Sequence, residues 1–157
     1  MLQALLATLD PKRGAPWHGG PTPLAALRGV SAAQARWVPA RRRHSIWDLT
    51  LHIAYWDYAV RRRLDPASPR GFPRAPTNWP QLPERPDERA WAADRALLKR
   101  EHDALVRVVK RVRESRWNRH LTGHWTCGET IVGIAAHEVY HTGQIQLLKR
   151  LWSGRAR

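Results

Sequence analysis

Trp91, Leu98, Leu105 and Val112 recur at strict intervals of seven residues, the period of a helix that lays one narrow apolar seam against its neighbours. The segment that carries them opens near Asp87. A second stripe, Ile46, Leu49, Ile53, Trp56, Val60 and Leu64, keeps spacings of three and four, as one face of a 3.6-residue helix requires. Its start is marked by Ser45-Ile46-Trp47-Asp48, a hydroxyl at the N-cap with a carboxylate three residues on, and Asp65-Pro66 stops it. A further capping box, Thr126-Cys127-Gly128-Glu129, opens a helix predicted to run to about Trp152, with Ile134, Ile145 and Leu148 on its inner face. Leu2 to Leu9 form a short apolar helical start that ends at Asp10-Pro11.

Between these stretches the chain is broken by Gly and Pro. Gly14 to Pro23 reads as an ordered loop, followed by one or two short helical pieces in Pro23-Leu24-Ala25-Ala26-Leu27 and Ser31-Ala32-Ala33-Gln34. Pro66 to Pro86 is a proline-rich linker, too interrupted for regular structure and long enough to cross the end of a bundle. No segment keeps the two-residue alternation of a half-buried strand, so the expected fold is all-α, a four-helix bundle with its long connection between the second and third helices. At 157 residues one domain, 1–157, can bury roughly two thirds of the surface its unfolded form would expose, so no covalent staple is needed.

Cys127 is alone and cannot form an internal disulfide; together with an N-terminus that lacks a secretory leader and the absence of any membrane-length apolar run, it points to a cytoplasmic protein. The formal charge of +14, with Arg41-Arg42-Arg43 and Arg61-Arg62-Arg63 as clamps, has the footprint of nucleic-acid binding. Nearly all of it is arginine, in a chain also rich in alanine, proline and tryptophan, as a GC-biased genome produces. No zinc-finger spacing, RNA-binding aromatic motif or helix-turn-helix accompanies it, so compositional bias ranks above DNA association.

The chemistry lies on the inner faces. His137 and His141 are four residues apart on the stripe of the last helix, where two imidazoles can aim nitrogen at one point. His52, three after Leu49 and four before Trp56, shares the buried stripe of its own helix. A buried imidazole without partners costs about 1–3 kcal/mol, and a pair one turn apart is met most simply by a shared ion. A divalent cation (zinc, nickel, manganese or iron) held by three imidazoles keeps positions open for water or substrate. His18, His44, His102, His120 and His124 are read as separately satisfied. Asp94, Glu101 and His102 fall between apolar layers of the third helix.

His137-Glu138-x-x-His141 also fits the zinc-protease motif, in which the glutamate is the general base. Such enzymes take a third ligand downstream, and the sixteen residues after His141 contain no His, Asp or Glu. They also lay substrate along a sheet edge. Glu138 is turned about 100° from His137 and is open as a support for the ligands, a salt-bridge partner or a solvated carboxylate. Gln144, one turn beyond His141, either bonds a ligand at the ion or fills the inner face. Trp56 and Trp91 read as core; Trp17, Trp79 and Trp125 lie in or beside loops, where they would wall a pocket mouth. Cys127 is read as a packing residue, its helix N-terminal position and its burial pulling its pKa in opposite directions.

Ser45-Ile46-Trp47-Asp48-Leu49-Thr50-Leu51-His52-Ile53-Ala54-Tyr55-Trp56 and His137-Glu138-Val139-Tyr140-His141-Thr142-Gly143-Gln144-Ile145 together resemble the DinB-like superfamily, the damage-inducible group that includes YfiT-like thiol transferases and mycothiol-dependent isomerases. Trp17-His18-Gly19-Gly20-Pro21 and Asn78-Trp79-Pro80 extend the resemblance over nearly the whole chain. It implies a four-helix bundle with a metal held by one histidine of the second helix and two of the fourth, here His52, His137 and His141. Relatives use such a metal to activate a low-molecular-weight thiol or a water, so a hydrolase or thiol S-transferase is the leading expectation. Glu138, Tyr140 and Gln144 are the candidates to assist catalysis. The alternatives are a metal or small-molecule binding protein linked to stress response and, ranked lower, a basic DNA-associated protein. The expected partners are a small-molecule substrate, a thiol among the candidates, and a second copy in a homodimer; no membrane is expected.

Overall fold

Three long helices each begin on a side chain that satisfies one of the first free backbone amides, which an α-helix cannot bond internally. In the computed structural model, which describes residues 2–11 and 19–155, Ser45 caps Ile46–Leu64, Asp87 caps Glu88–Lys110 and Thr126 caps Cys127–Gly154. Both expected capping boxes are complete: Asp48 and Glu129 each accept from the backbone of their cap residue at 2.8 Å. In chain order the helices are α1 (Leu2–Leu9), α2 (Pro23–Ala26), α3 (Ala32–Ala35), α4 (Ile46–Leu64), α5 (Glu88–Lys110) and α6 (Cys127–Gly154). Trp17, His18 and most of the loop expected from Gly14 to Pro23 lie outside the described residues.

The fold is all-helical and dominated by α4, α5 and α6, as the resemblance to DinB-like bundles implies. Its small departure is a ribbon of two short antiparallel strands, β1 (His120–Thr122) and β2 (Trp125–Thr126), joined through Gly123-His124. Gly123 stands at φ +62°, the conformation that a two-residue hairpin wants at its first turn position and that glycine adopts without steric cost. Strands this short leave no room for a readable alternation. Among the described residues, no helix is long and apolar enough to cross a membrane.

Two apolar clusters fill the bundle. One joins the first half of α4 (Ile46 to Ala54), the start of α5 (Trp91 to Leu98) and the end of α6 (Ile145, Leu148) beneath α2 and α3. The other joins α1, the end of α4 (Val60, Leu64), the end of α5 (Leu105 to Val109) with Val112 just beyond it, and the start of α6 (Cys127 to Ala135). It follows that α4 and α5 run parallel and α6 opposes both. The linker therefore does not simply cross one end of the bundle; it returns along the length of α4, about 28 Å for nineteen residues at 1.5 Å each. Its contacts step backwards along that helix: Arg61 reaches the carbonyl of Pro69, the Tyr58 hydroxyl accepts from the Gly71 amide, Phe72 meets Tyr55, and Asn78 meets His52.

A polar layer lies between the two clusters. The buried Asp57, Arg61, His102, Glu138 and Thr142 occupy it together with the partly buried Glu101. Arg61 bonds Glu101 at 3.1 Å. Nearer the first cluster, Asp94 is 1% exposed; it accepts from Trp47 Nε1 at 2.9 Å and from Arg74 at 2.6 and 3.0 Å.

Candidate metal centre

His52 stands in the second turn of α4, and His137 and His141 stand one turn apart in the middle of α6, so two rigid helices set the three imidazoles. One ring nitrogen from each lies within 4.8 Å of the others. Nε2 of His137 is 3.0 Å from Nε2 of His52. Two nitrogens about 2.1 Å from one ion and about 90° apart would be about 3.0 Å from each other.

The other ring nitrogens explain the orientation. A backbone carbonyl can only accept, so the 2.6 Å contact of His52 Nδ1 with the carbonyl of Asn78 places the proton on Nδ1 and leaves Nε2 bare. His141 Nδ1–H donates to Gln144 Oε1 at 2.7 Å, and Gln144 Nε2 in turn donates to the Tyr140 hydroxyl at 3.1 Å. His137 Nδ1 is buried without a partner among the described residues. A bare Nε2 on His52 facing Nε2 of His137 is an arrangement that a shared cation resolves, so the donor set fits a divalent ion.

Burial acts in the same sense. It pushes the His52 imidazole down to about 4, with the Asn78 carbonyl opposing and His141 and His44 assisting. His137 falls to about 3, first through burial and then through His141 and His52. His141 is also lowered by burial, against the pull of Gln144. All three are therefore neutral at pH 7, the form that binds a metal.

The linker and α4 supply the walls. The indole of Trp79 stacks on His52 with ring centres 3.8 Å apart at 10°, and His44 stacks on the same indole at 3.6 Å and 2°. Trp56, expected in the core, is only half buried; it packs edge-on to His52 and His137 and donates to Asn78 Oδ1 at 2.9 Å. A cavity of about 350 Å³ opens beside the triad, lined by Arg42, Arg43, His44, Leu49, Gln144 and Leu148 among others. Trp125 is exposed on the ribbon and packs elsewhere, while Trp91 is core, with its N–H on the Val30 carbonyl at 2.7 Å.

The profile of the DinB superfamily matches residues 22–145, a span that takes in all three imidazoles and Trp79. The chain belongs to the DinB superfamily. No curated protein and no solved structure matches it.

In this DinB-superfamily chain the expected helper residues separate. Gln144 bonds the triad directly, and Tyr140, 64% exposed, reaches it through Gln144 and by packing its ring near that of His141. Glu138 is 2% exposed and points elsewhere, its Oε1 accepting from His102 Nδ1 at 3.0 Å. With Asp57 these two form a second group whose donor atoms lie within 4.8 Å of one another, so two clusters are compatible with a divalent ion. Sequence reading missed this group, although Asp57 sits between Ile53 and Val60 at the spacings of the buried stripe. His44 was read as separately satisfied and instead backs the site through Trp79. His120 and His124 are exposed on the ribbon and its turn.

Proposed function

We propose that His52, His137 and His141 hold one divalent cation and that this DinB-superfamily protein is a metal-dependent enzyme of the hydrolase or thiol S-transferase type, acting on a small molecule. The observation that carries the reading is the convergence of three neutral imidazoles, two of them oriented by a hydrogen bond from the nitrogen that faces away. A first-row divalent ion bound there supplies Lewis acidity to a water or a thiol.

The remaining work falls to the chain itself. Trp79 and Trp56 cover the imidazoles and restrict water on the linker side. The adjoining cavity brings apolar surface from Leu49 and Leu148 and cationic charge from Arg42 and Arg43 to within the reach of Gln144. Gln144 and Tyr140 form a polar chain that ends at His141 and offers a phenolic hydroxyl at its exposed end. Glu138 is committed to His102, which leaves Tyr140 the better placed of the two to exchange a proton.

The test is metal analysis of protein purified without an affinity tag, paired with assays of activated-ester hydrolysis and of thiol transfer to an electrophile. At least one equivalent of ion per chain, one equivalent fewer in His141→Ala, and turnover abolished by chelation and by His141→Ala are expected. Tight ion binding without turnover on any substrate would turn the reading into that of a binding protein, and unchanged ion affinity in His141→Ala would remove that residue from the site.

A further inference from the structure

Asp57 of α4, His102 of α5 and Glu138 of α6 meet in the polar layer between the two apolar clusters, and they are 0%, 8% and 2% exposed. Neither carboxylate oxygen of Asp57 meets an N–H or hydroxyl donor at hydrogen-bond distance among the described residues, and its near polar neighbour is the carboxylate of Glu138. Arg61, one turn along the same helix, is engaged with Glu101. Asp57, Glu101 and Glu138 thus bring three carboxylates to this layer, where Arg61 faces Glu101 and the imidazole of His102 faces Glu138, which leaves Asp57 as the carboxylate with no basic partner of its own.

We propose that Asp57, His102 and Glu138 form a second divalent-cation site, separate from the histidine triad. His102 Nδ1 lies 3.0 Å from Glu138 Oε1 and 3.8 Å from Asp57 Oδ2. Donor atoms about 2.2 Å from a common ion are separated by about 3.1 Å at right angles and about 3.8 Å at 120°, so both distances belong to one coordination sphere. A divalent cation would give the orphaned Asp57 oxygens a partner and would take the place of the proton on His102 opposite Glu138. Without it, burial and then the charge of Glu138 hold the Asp57 carboxyl well above the ordinary range. One imidazole with two carboxylates is a harder donor set than three imidazoles, so this site favours Mn²⁺ and Fe²⁺ over softer ions more than the triad does, while both donor sets take Mn²⁺ at saturating ion. The three ligands stand on three different helices, so a bound ion would tie α4, α5 and α6 together at mid-height.

The experiment titrates chelator-stripped protein with Mn²⁺ and counts bound ion by the loss of the free-ion paramagnetic resonance signal. The full chain should bind two equivalents, a His52→Ala/His137→Ala/His141→Ala variant one, and the same variant with Asp57→Asn none. Should Asp57→Asn fail to fold, His102→Gln in the triad-free background should show the same loss. A triad-free variant that keeps its helical circular dichroism but binds no Mn²⁺ overturns the proposal and leaves a proton shared by the two carboxyls as the occupant. Retention of the ion after Asp57→Asn overturns it as well. Failure of the triad reading looks different: the full chain and the triad-free variant would then bind the same single equivalent.

Discussion

The Nδ1–H of His52 donates to the carbonyl of Asn78 at 2.6 Å, and that carbonyl is aimed by a residue whose backbone stands at φ +71°. Asparagine tolerates this left-handed conformation, whereas alanine is strained there by roughly 1–2 kcal/mol. Asn78→Ala should therefore tilt the carbonyl away and weaken ion binding about tenfold, the low end of what loss of such an orienting bond does. Asn78→Gly, which keeps the backbone free to adopt the angle, should lie nearer the wild type. Competition titration with a chromogenic chelator would compare the two, and equal affinities in both variants and the wild type would deny the carbonyl its role.

Acidification should release the triad's ion late. With His52 near 4 and His137 near 3 in the ion-free protein, protons compete poorly at pH 6, so retention should persist below the ordinary imidazole range and fail only as pH approaches 4. Complete release by pH 6 would contradict the burial argument.

Stability of the stripped protein follows from the same shifts. Unfolded imidazoles take up protons near pH 6.5, where the folded ones do not, so the stability they contribute is full above that value and is lost as pH falls through the folded values. His102 is lowered by burial but raised further by Glu138, and Asp57 is raised; these two oppose the trend. The triad's share is isolated by comparison with His137→Ala: the urea midpoint of the wild type should fall further, or rise less, between pH 7.5 and 5 than that of the variant, and identical pH dependence in the two would deny the burial of His137 its effect.

A methyl group at position 128 has nowhere to go. A Cβ built on Gly128 would sit 2.4 Å from Cε2 and Nε1 of the Trp117 indole, while the Gly128 amide is bonded to the Trp117 carbonyl at 2.9 Å. Gly128→Ala should cost about 1–3 kcal/mol, as overpacking does, although alanine is otherwise the better helix former. Thermal unfolding that matches the wild type would show that the indole moves freely.

Asp94→Ala would strand the Trp47 N–H in a fully buried position and release Arg74. Loss of about 2–3 kcal/mol is expected from one orphaned donor and one broken charged bond, with Asp94→Asn less affected. Denaturant unfolding within about 0.5 kcal/mol of wild type, the range of ordinary surface changes, would count against the pairing.

The helices and the triad were legible because both are periodic. Ser45 and Thr126 announce their helices through capping boxes, and His137 and His141 share a face at a spacing of four. The second cluster was only half legible: Asp57 and Glu138 each occupy a buried stripe, but their meeting depends on α4, α5 and α6 facing one another at one height, which no local pattern encodes. The direction of α5 was hidden for the same reason. Residues 66–86 carry no period, so Asn78-Trp79-Pro80 stood out only as part of the family resemblance and its contact with His52 was not visible, and the hairpin of residues 120–126 is too short to declare itself.

Because α4 and α5 point the same way, the segment that joins them has to travel back over the molecule, and in doing so it becomes one side of the chamber around His52. The scaffold and the cover are thereby divided between different stretches of chain. Substitutions in 66–86 can change how tightly the imidazoles are roofed while the rods that position them stay as they are, which gives this architecture a means of retuning its interior without rebuilding its frame.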